Sequence, residues 1–166
     1  MDADYLINHL GMEPHPEGGF YKRTFESDEM IATESQSAQR RLYTSICFLL
    51  RSEDISHLHR LKSDELWYFH ASSALSVHII DKSGRYRVEK LGLDMANGEK
   101  PQVLVPKGSI FGSSVETEDA FSLVGCMVAP GFDFADFELF TQNELLDQFP
   151  AHEGIIRKLA YDKLPE

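Results

Sequence analysis

An all-β sandwich or barrel with a helical tail is the fold this sequence predicts, on three observations. About nine short strand signals recur between residues 41 and 140, turn-forming clusters separate them, and no long helical periodicity lies between them. At 166 residues the chain is long enough for one domain with a sizeable core and too short for two of ordinary size. The expected plan is a single domain over 1–166, with an arm at 1–40, a barrel at 41–140 and a helical tail at 141–166.

Each element has its own signal. Tyr5, Leu6, His9 and Leu10 fall at helical spacing and Gly11 stops the run, so residues 2–10 are expected to be a short helix. Pro14-His15-Pro16-Glu17-Gly18-Gly19 admits neither helix nor central strand, because two prolines and two glycines punctuate six residues. Residues 20–25 alternate and read as a strand, and the polar stretch 27–40 reads as a surface loop. Strands are then expected at 42–50, 55–61, 65–71, 74–81, 85–91, 102–105, 109–114, 121–128 and 137–140. Asp81-Lys82-Ser83-Gly84 suits a hairpin, Asn97-Gly98 a wider loop and Lys107-Gly108 a tight corner. Phe132, Phe134, Phe137 and Phe140 change parity between Phe134 and Phe137, so a bend or bulge is expected at Ala135-Asp136. Thr141 and Glu144 form a capping box. Leu145, Leu146 and Phe149, then Ile155, Ile156 and Leu159, give two apolar helix sides to pack on the outside of the β body.

Twenty-seven acidic residues against sixteen basic ones leave a formal charge of −11. That charge repels nucleic-acid phosphates and anionic lipid at long range, so neither is expected as a partner. The first 25 residues hold no apolar core of signal length, and the longest strongly apolar run, 46–50, is far short of a membrane span. Cys47 and Cys126 sit among apolar neighbours without a CxxC pair, which fits reduced, buried thiols and a cytoplasmic protein.

The chemistry-bearing stretch is 56–65. On a regular strand His57 and His59 share a face. If Lys62-Ser63-Asp64 is a three-residue connection to the next strand, Glu65 joins both imidazoles and Trp67 turns inward; a two-residue turn would present Asp64 instead. Two imidazoles and a carboxylate in one pocket suit either a divalent ion with open positions or a base and its orienting partner. Near the start, Glu17, Tyr21 and Arg23 either belong to a turn and its strand or close the mouth of a barrel; a ring and a forked cation on one face suit a phosphate- or carboxylate-bearing ligand.

His57-Leu58-His59 followed by a carboxylate on the next strand resembles the first motif of the cupins, and Val105-Pro106-Lys107-Gly108-Ser109-Ile110-Phe111 resembles the second. The ordered set resembles one branch in particular, the fifth cupin domain family. It comprises His15-Pro16-Glu17-Gly18-Gly19-Phe20, Ser56-His57-Leu58-His59, Asp64-Glu65-Leu66-Trp67, Pro101-Gln102-Val103 and the stretch 124–138, and it covers nearly the whole chain. The resemblance implies a double-stranded β-helix, or jelly-roll, barrel that holds a small-molecule ligand, and a homodimer joined through the 20–25 strand. It implies a metal set of His57, His59 and Glu65 for Fe, Mn, Ni or Zn, incomplete because Phe111 stands where metal cupins carry their last histidine. Ser72 likewise stands where the first motif usually has glycine, and nothing in the spacing of His78 favours it for the missing ligand. Epimerases of the superfamily use a pocket histidine as base without metal. Three functions therefore stay open. One is an epimerase or isomerase acting on a small polar or phosphorylated metabolite, sugar-like or nucleobase-like, with His59, His57 and Glu65 as catalytic groups. Another is a metal-dependent dioxygenase or hydrolase, and the third a non-catalytic binding module. In each, Glu17, Tyr21, Arg23, Trp67 and Phe111 are expected to line the bowl.

Overall fold

In the computed structural model, which describes residues 2–34 and 38–166, two antiparallel sheets face one another with helices on their outer sides. Helix α1 (Ala3–Leu10) starts where the Asp2 side chain accepts the Tyr5 N–H and stops at Gly11 in the left-handed conformation. Strands β1 (Glu13–Pro14) and β2 (Phe20–Glu26) flank the Pro/Gly turn. The 27–40 segment is more ordered than its polarity suggests: β3 (Met30–Ile31) pairs with β4 (Arg40–Arg41), while residues 35–37 of the expected loop lie outside the described residues. Arg40 is buried there against Asp136, with bonds of 2.7 and 3.1 Å.

The main run follows as β5 (Thr44–Arg51), β6 (Ser56–Arg60), β7 (Asp64–Ser72), β8 (Leu75–Ile80), β9 (Tyr86–Leu91), β10 (Gln102–Val105), β11 (Ile110–Ser114), β12 (Phe121–Ala129) and β13 (Glu138–Leu139). Each lies within a residue or two of where alternation put it. A short 3₁₀ turn, Phe134–Asp136, supplies the bend that the aromatic parity break required. Helices α2 (Gln142–Gln148), with both halves of its Thr141/Glu144 capping box formed, and α3 (Glu153–Leu159) complete the chain.

The larger sheet has the order β1-β2-β5-β12-β7-β10 and the smaller β13-β6-β11-β8-β9. Between them lies the main core. Phe48, Trp67, Val103, Val124 and Cys126 come from one sheet, and Val77, Ile79, Leu91 and Phe111 from the other. Leu58, Ile80 and Ile110 on the back of the smaller sheet are covered by Leu145, Ile156 and Leu159 of the tail. Leu49 on the back of the larger sheet is covered by Leu6 and Met12. Cys126 is buried, whereas Cys47, on the α1 side, is only half-buried because the short helix covers that face incompletely; both thiols are free. No described helix is long and apolar enough to cross a membrane.

Two expectations about 56–65 need correction. Strands β6 and β7 are not paired: β6 lies between β11 and β13, and β7 between β12 and β10. The Leu61-Lys62-Ser63 link crosses from one sheet to the other, and alternation cannot report which sheet a strand joins. Nor do His57 and His59 share a face. Phe111 is opposite His59 but Ser113 is opposite Ser56, so β6 carries one extra residue, a bulge that breaks the alternation. Gly112 lies opposite the bulge, where a Cβ would sit 2.6 Å from the Ser56 carbonyl oxygen.

Candidate functional site

The inner faces of the two sheets part at one end to leave a cavity of about 450 Å³. Its polar wall is built by the 15–19 turn. Gly18 and Gly19 have φ of 110° and 72°, and a Cβ on Gly18 would lie 1.9 Å from the Ile55 carbonyl oxygen. Only glycine lets this turn press against the start of β6. Once there, the Glu17 carbonyl accepts both the backbone N–H and the Nδ1–H of His57, each at 2.7 Å.

This seating buries the Glu17 carboxyl, 7% exposed, among the side chains of Ser56, His59 and His15. Ser56 Oγ donates to Oε1 at 2.8 Å, and Oε2 lies 3.1 Å from His59 Nε2 and 3.5 Å from His15 Nδ1. The proton positions follow from the partners. His59 Nδ1 lies 2.7 Å from the His57 carbonyl, which can only accept, so Nδ1 carries a hydrogen. Nε2 and Glu17 Oε2 must then share one proton between them: carboxylic acid on neutral imidazole, or carboxylate on imidazolium. Burial draws the His59 pKa down to about 4 and raises that of Glu17, and both shifts favour the neutral form of the pair. His15 Nδ1 accepts the Glu17 N–H at 3.1 Å, which leaves neutral His15 with its hydrogen on Nε2. Its ring lies among Tyr21, Phe48, Phe132 and Phe137.

A second carboxyl faces this pair across the cavity wall. Glu65 is 7% exposed, and its Oε2 has no hydrogen-bond partner. Burial, with the neighbouring Glu17 carboxyl adding to it, holds its pKa well above the usual range. Asp64 points outward and accepts the Lys107 N–H at 2.8 Å, so of the two acids on this strand Glu65 belongs to the cavity. Trp67, two residues on and on the same face, lines the wall beside it. At the mouth, Tyr21 and Arg23 extend from β2, and Arg23 donates to the Phe132 carbonyl at 3.3 Å.

The structure thus brings together His59, Glu65, Glu17, Tyr21, Arg23 and Trp67 around one cavity. It does not bring His57 there: that ring stacks on Tyr161, with centroids 3.5 Å apart and planes 8° from parallel. Phe111 is also behind the wall, packed against His59 at 4.1 Å between ring centroids. Among the described residues no group of three His, Cys, Asp or Glu side chains is disposed to hold a metal ion, and His57, His59 and Glu65 do not converge. The residues present do not fit the metal set that the resemblance implies. Sequence reasoning missed His15 as a lining group, and it read Phe132 and Phe134 as core first and as a pocket wall or subunit contact second. The histidine lay in the quoted His15-Pro16-Glu17 segment. The parity break marked the two phenylalanines.

Residues 4–140 match the model of Cupin_5, a family of the cupin superfamily also described as DUF985. The chain belongs to the Cupin_5 family. Among solved structures, this Cupin_5 chain is similar to a protein of Shewanella oneidensis, with 48% identity, a TM-score of 0.91 and coverage of 98% of this chain and 99% of that one. It is similar also to a hypothetical protein from Leishmania major, with 42% identity, a TM-score of 0.90 and coverage of 98% and 100%. An uncharacterized protein of Saccharomyces cerevisiae is 27% identical over 153 residues, 79% of this chain and 71% of that protein. Bacillus subtilis oxalate decarboxylase shares the fold alone, at 16% identity and a TM-score of 0.57 over 96% of this chain and 42% of that one.

Proposed function

We propose that this Cupin_5 protein binds a small polar metabolite in the cavity and moves a proton on it, as an isomerase or epimerase does. The observation that carries the reading is the 3.1 Å contact between His59 Nε2 and Glu17 Oε2, made while the far nitrogen is tied to a carbonyl. A carboxyl that can pass its proton to an adjacent imidazole becomes a base without exporting charge to solvent. Glu17, having handed its proton to His59 Nε2, takes a proton from a carbon next to a ligand carbonyl. Glu65, whose protonated form burial favours, supplies one in return; the His59 imidazolium then gives up its extra proton and the Glu65 carboxylate regains one by exchange with solvent, which resets the site. Phe48, Phe132 and Phe134 favour a ligand with a flat or apolar face, and Lys22 and Arg23 at the rim favour a phosphate or carboxylate at its outer end.

Native mass spectrometry of gently purified protein, followed by incubation of the released compound with fresh protein in D₂O, tests this. A bound small molecule that gains carbon-bound deuterium with the native chain, and none with Glu17→Gln, is expected. Binding without exchange would reduce the protein to a binding module, and an empty cavity would remove the reading altogether.

The homodimer belongs to the same proposal. Beyond its two-residue pairing with β1, the outer edge of β2 pairs with no other described strand, and Phe25, 69% exposed, is followed along the chain by the exposed Met30, Ile31, Leu42 and Tyr43. A second copy seated on that edge would cover them. A sedimentation mass near 18.9 kDa at micromolar concentration would sink the dimer.

A further inference from the structure

The tail does more than cover the back of the smaller sheet. Past α3, Ala160 is buried and the chain turns along the start of α2, where the Tyr161 carbonyl accepts the Gln142 N–H at 2.8 Å. Gln142 Nε2 also donates to the Ala160 carbonyl at 3.2 Å, so the backbone at Tyr161 is fixed from two sides. From that anchorage the side chain reaches back to the arm. Its hydroxyl donates to the Pro16 carbonyl at 2.9 Å, and its ring lies flat on the His57 imidazole at 3.5 Å. Both contacts fall on groups that seat Glu17, one a backbone carbonyl and the other a side-chain ring. Pro16 precedes it, and His57 holds the Glu17 carbonyl with two hydrogens.

We infer that Tyr161 is a positioning residue for the Glu17–His59 pair, acting through the Pro16 carbonyl and the His57 ring. His57 then has a definite task outside the cavity. Its backbone N–H and Nδ1–H hold the Glu17 carbonyl, and its own carbonyl fixes the hydrogen of His59 on Nδ1. One residue thereby orients both partners of the pair, and Tyr161 keeps that residue's ring from rotating. Tyr161 lies beyond residue 140, outside the stretch that matches the family model, so the pair depends on a part of the chain that the family pattern does not cover. The functional meaning of this clasp rests on the proposed role of the Glu17–His59 pair.

The test needs no ligand. Amide hydrogen exchange and imidazole ¹⁵N spectra of the full chain are compared for the native protein, Tyr161→Phe and Tyr161→Ala. In the native chain His59 should show the pure Nδ1–H tautomer. In Tyr161→Ala the His57 and Gly18 amides, bonded to the Glu17 and His15 carbonyls, should exchange about tenfold faster or more, while Leu49 and Val124 keep their protection. The His59 signals should move toward a mixture of tautomers, a change that loss of tail packing alone would not produce. Tyr161→Phe keeps the stack and should quicken Gly18 and His57 exchange by a smaller, several-fold factor. Unchanged His57 exchange and an unchanged His59 tautomer in Tyr161→Ala would overturn the inference. If that variant does not fold, unchanged exchange at both amides in Tyr161→Phe does so instead. Failure of the proton-transfer reading would show separately, as deuterium exchange that survives Glu17→Gln.

Discussion

His59 and His78 sit in the same sheet, are both nearly inaccessible, and both have their pKa drawn down to about 4, chiefly by burial. Their surroundings differ in one respect. His78, on the back of the sheet, belongs to a closed chain: Tyr86 Oη lies 2.8 Å from its Nδ1, its Nε2 lies 3.2 Å from Ser114 Oγ, and Ser114 donates to Glu116 at 2.6 Å. Lys158 of α3 completes the chain with bonds of 3.0 and 3.1 Å to Glu116. Both ring nitrogens of His78 and the hydroxyl of Ser114 find partners there, and the result clamps a helix to a sheet. His59, on the inner face, ends at a carboxyl with which it must share a proton, in a wall where Glu65 Oε2 has no partner. A depressed pKa therefore marks burial in both places. Only the unfinished set of partners separates a chemical site from a structural one.

The largest expected effect breaks the closed chain. His78→Ala should cost about 2–3 kcal/mol in urea unfolding, from the void and the lost bonds to Tyr86 and Ser114. Glu17→Gln should cost under about 1 kcal/mol, because its amide can donate to His59 Nε2 and still accept from Ser56. Equal costs, or the reverse order, would erase the distinction between the two histidines.

A second, opposite effect is expected at Glu65. Its pKa is raised in the folded state, so the folded chain keeps a proton that the unfolded chain releases above about 4.5, and the associated stability is lost as pH rises. Glu65→Gln should thus stabilise the protein by roughly 1 kcal/mol or more at pH 8, and less at pH 5. The two histidines act with the other sign. Folded values near 4 against 6.5 unfolded mean that their contribution is whole above pH 6.5 and is lost as pH falls through 4. The urea midpoint should fall over that window, and more steeply in Glu65→Gln, where no opposing carboxyl remains at 65. A flat profile in that variant would mean that the imidazoles are not buried neutral.

The two regions were unequally legible in the sequence. The back of the smaller sheet was plain: Leu145, Ile156 and Leu159 declared their helix faces, and Thr141 and Glu144 declared the cap. Strand positions were readable because alternation is a local property. The cavity was harder, since it depends on which sheet each strand joins and on one extra residue in β6. Gly112 was the available sign, a glycine inside a strand opposite the motif, and it marks the bulge that turns His57 away from His59. The closeness of Glu17 to His59 is set by the Gly18 approach to Ile55, a tertiary contact that spacing does not encode.

The smallest effect sharpens the same contrast through the two thiols. Cys47 and Cys126 lie on neighbouring strands, one rung apart: Cys47 is opposite Gly125 and Cys126 is opposite Ile46. They point to opposite faces of the larger sheet. Cys47 packs under α1 and is half-buried, whereas Cys126 is buried in the cavity wall. Burial raises the pKa of both thiols, and at Cys126 the nearby Glu65 and Glu17 carboxyls add to the rise. Under a thiol reagent, Cys47 of the native protein should react first and Cys126 about tenfold more slowly or worse. The compound released from the purified protein, when added back, should slow Cys126 and leave Cys47 unchanged, because only one of the two faces has space for it. Equal labelling rates would mean that the inner face opens as readily as the α1 face, and the cavity would then lose its claim to be the enclosed side of the sheet.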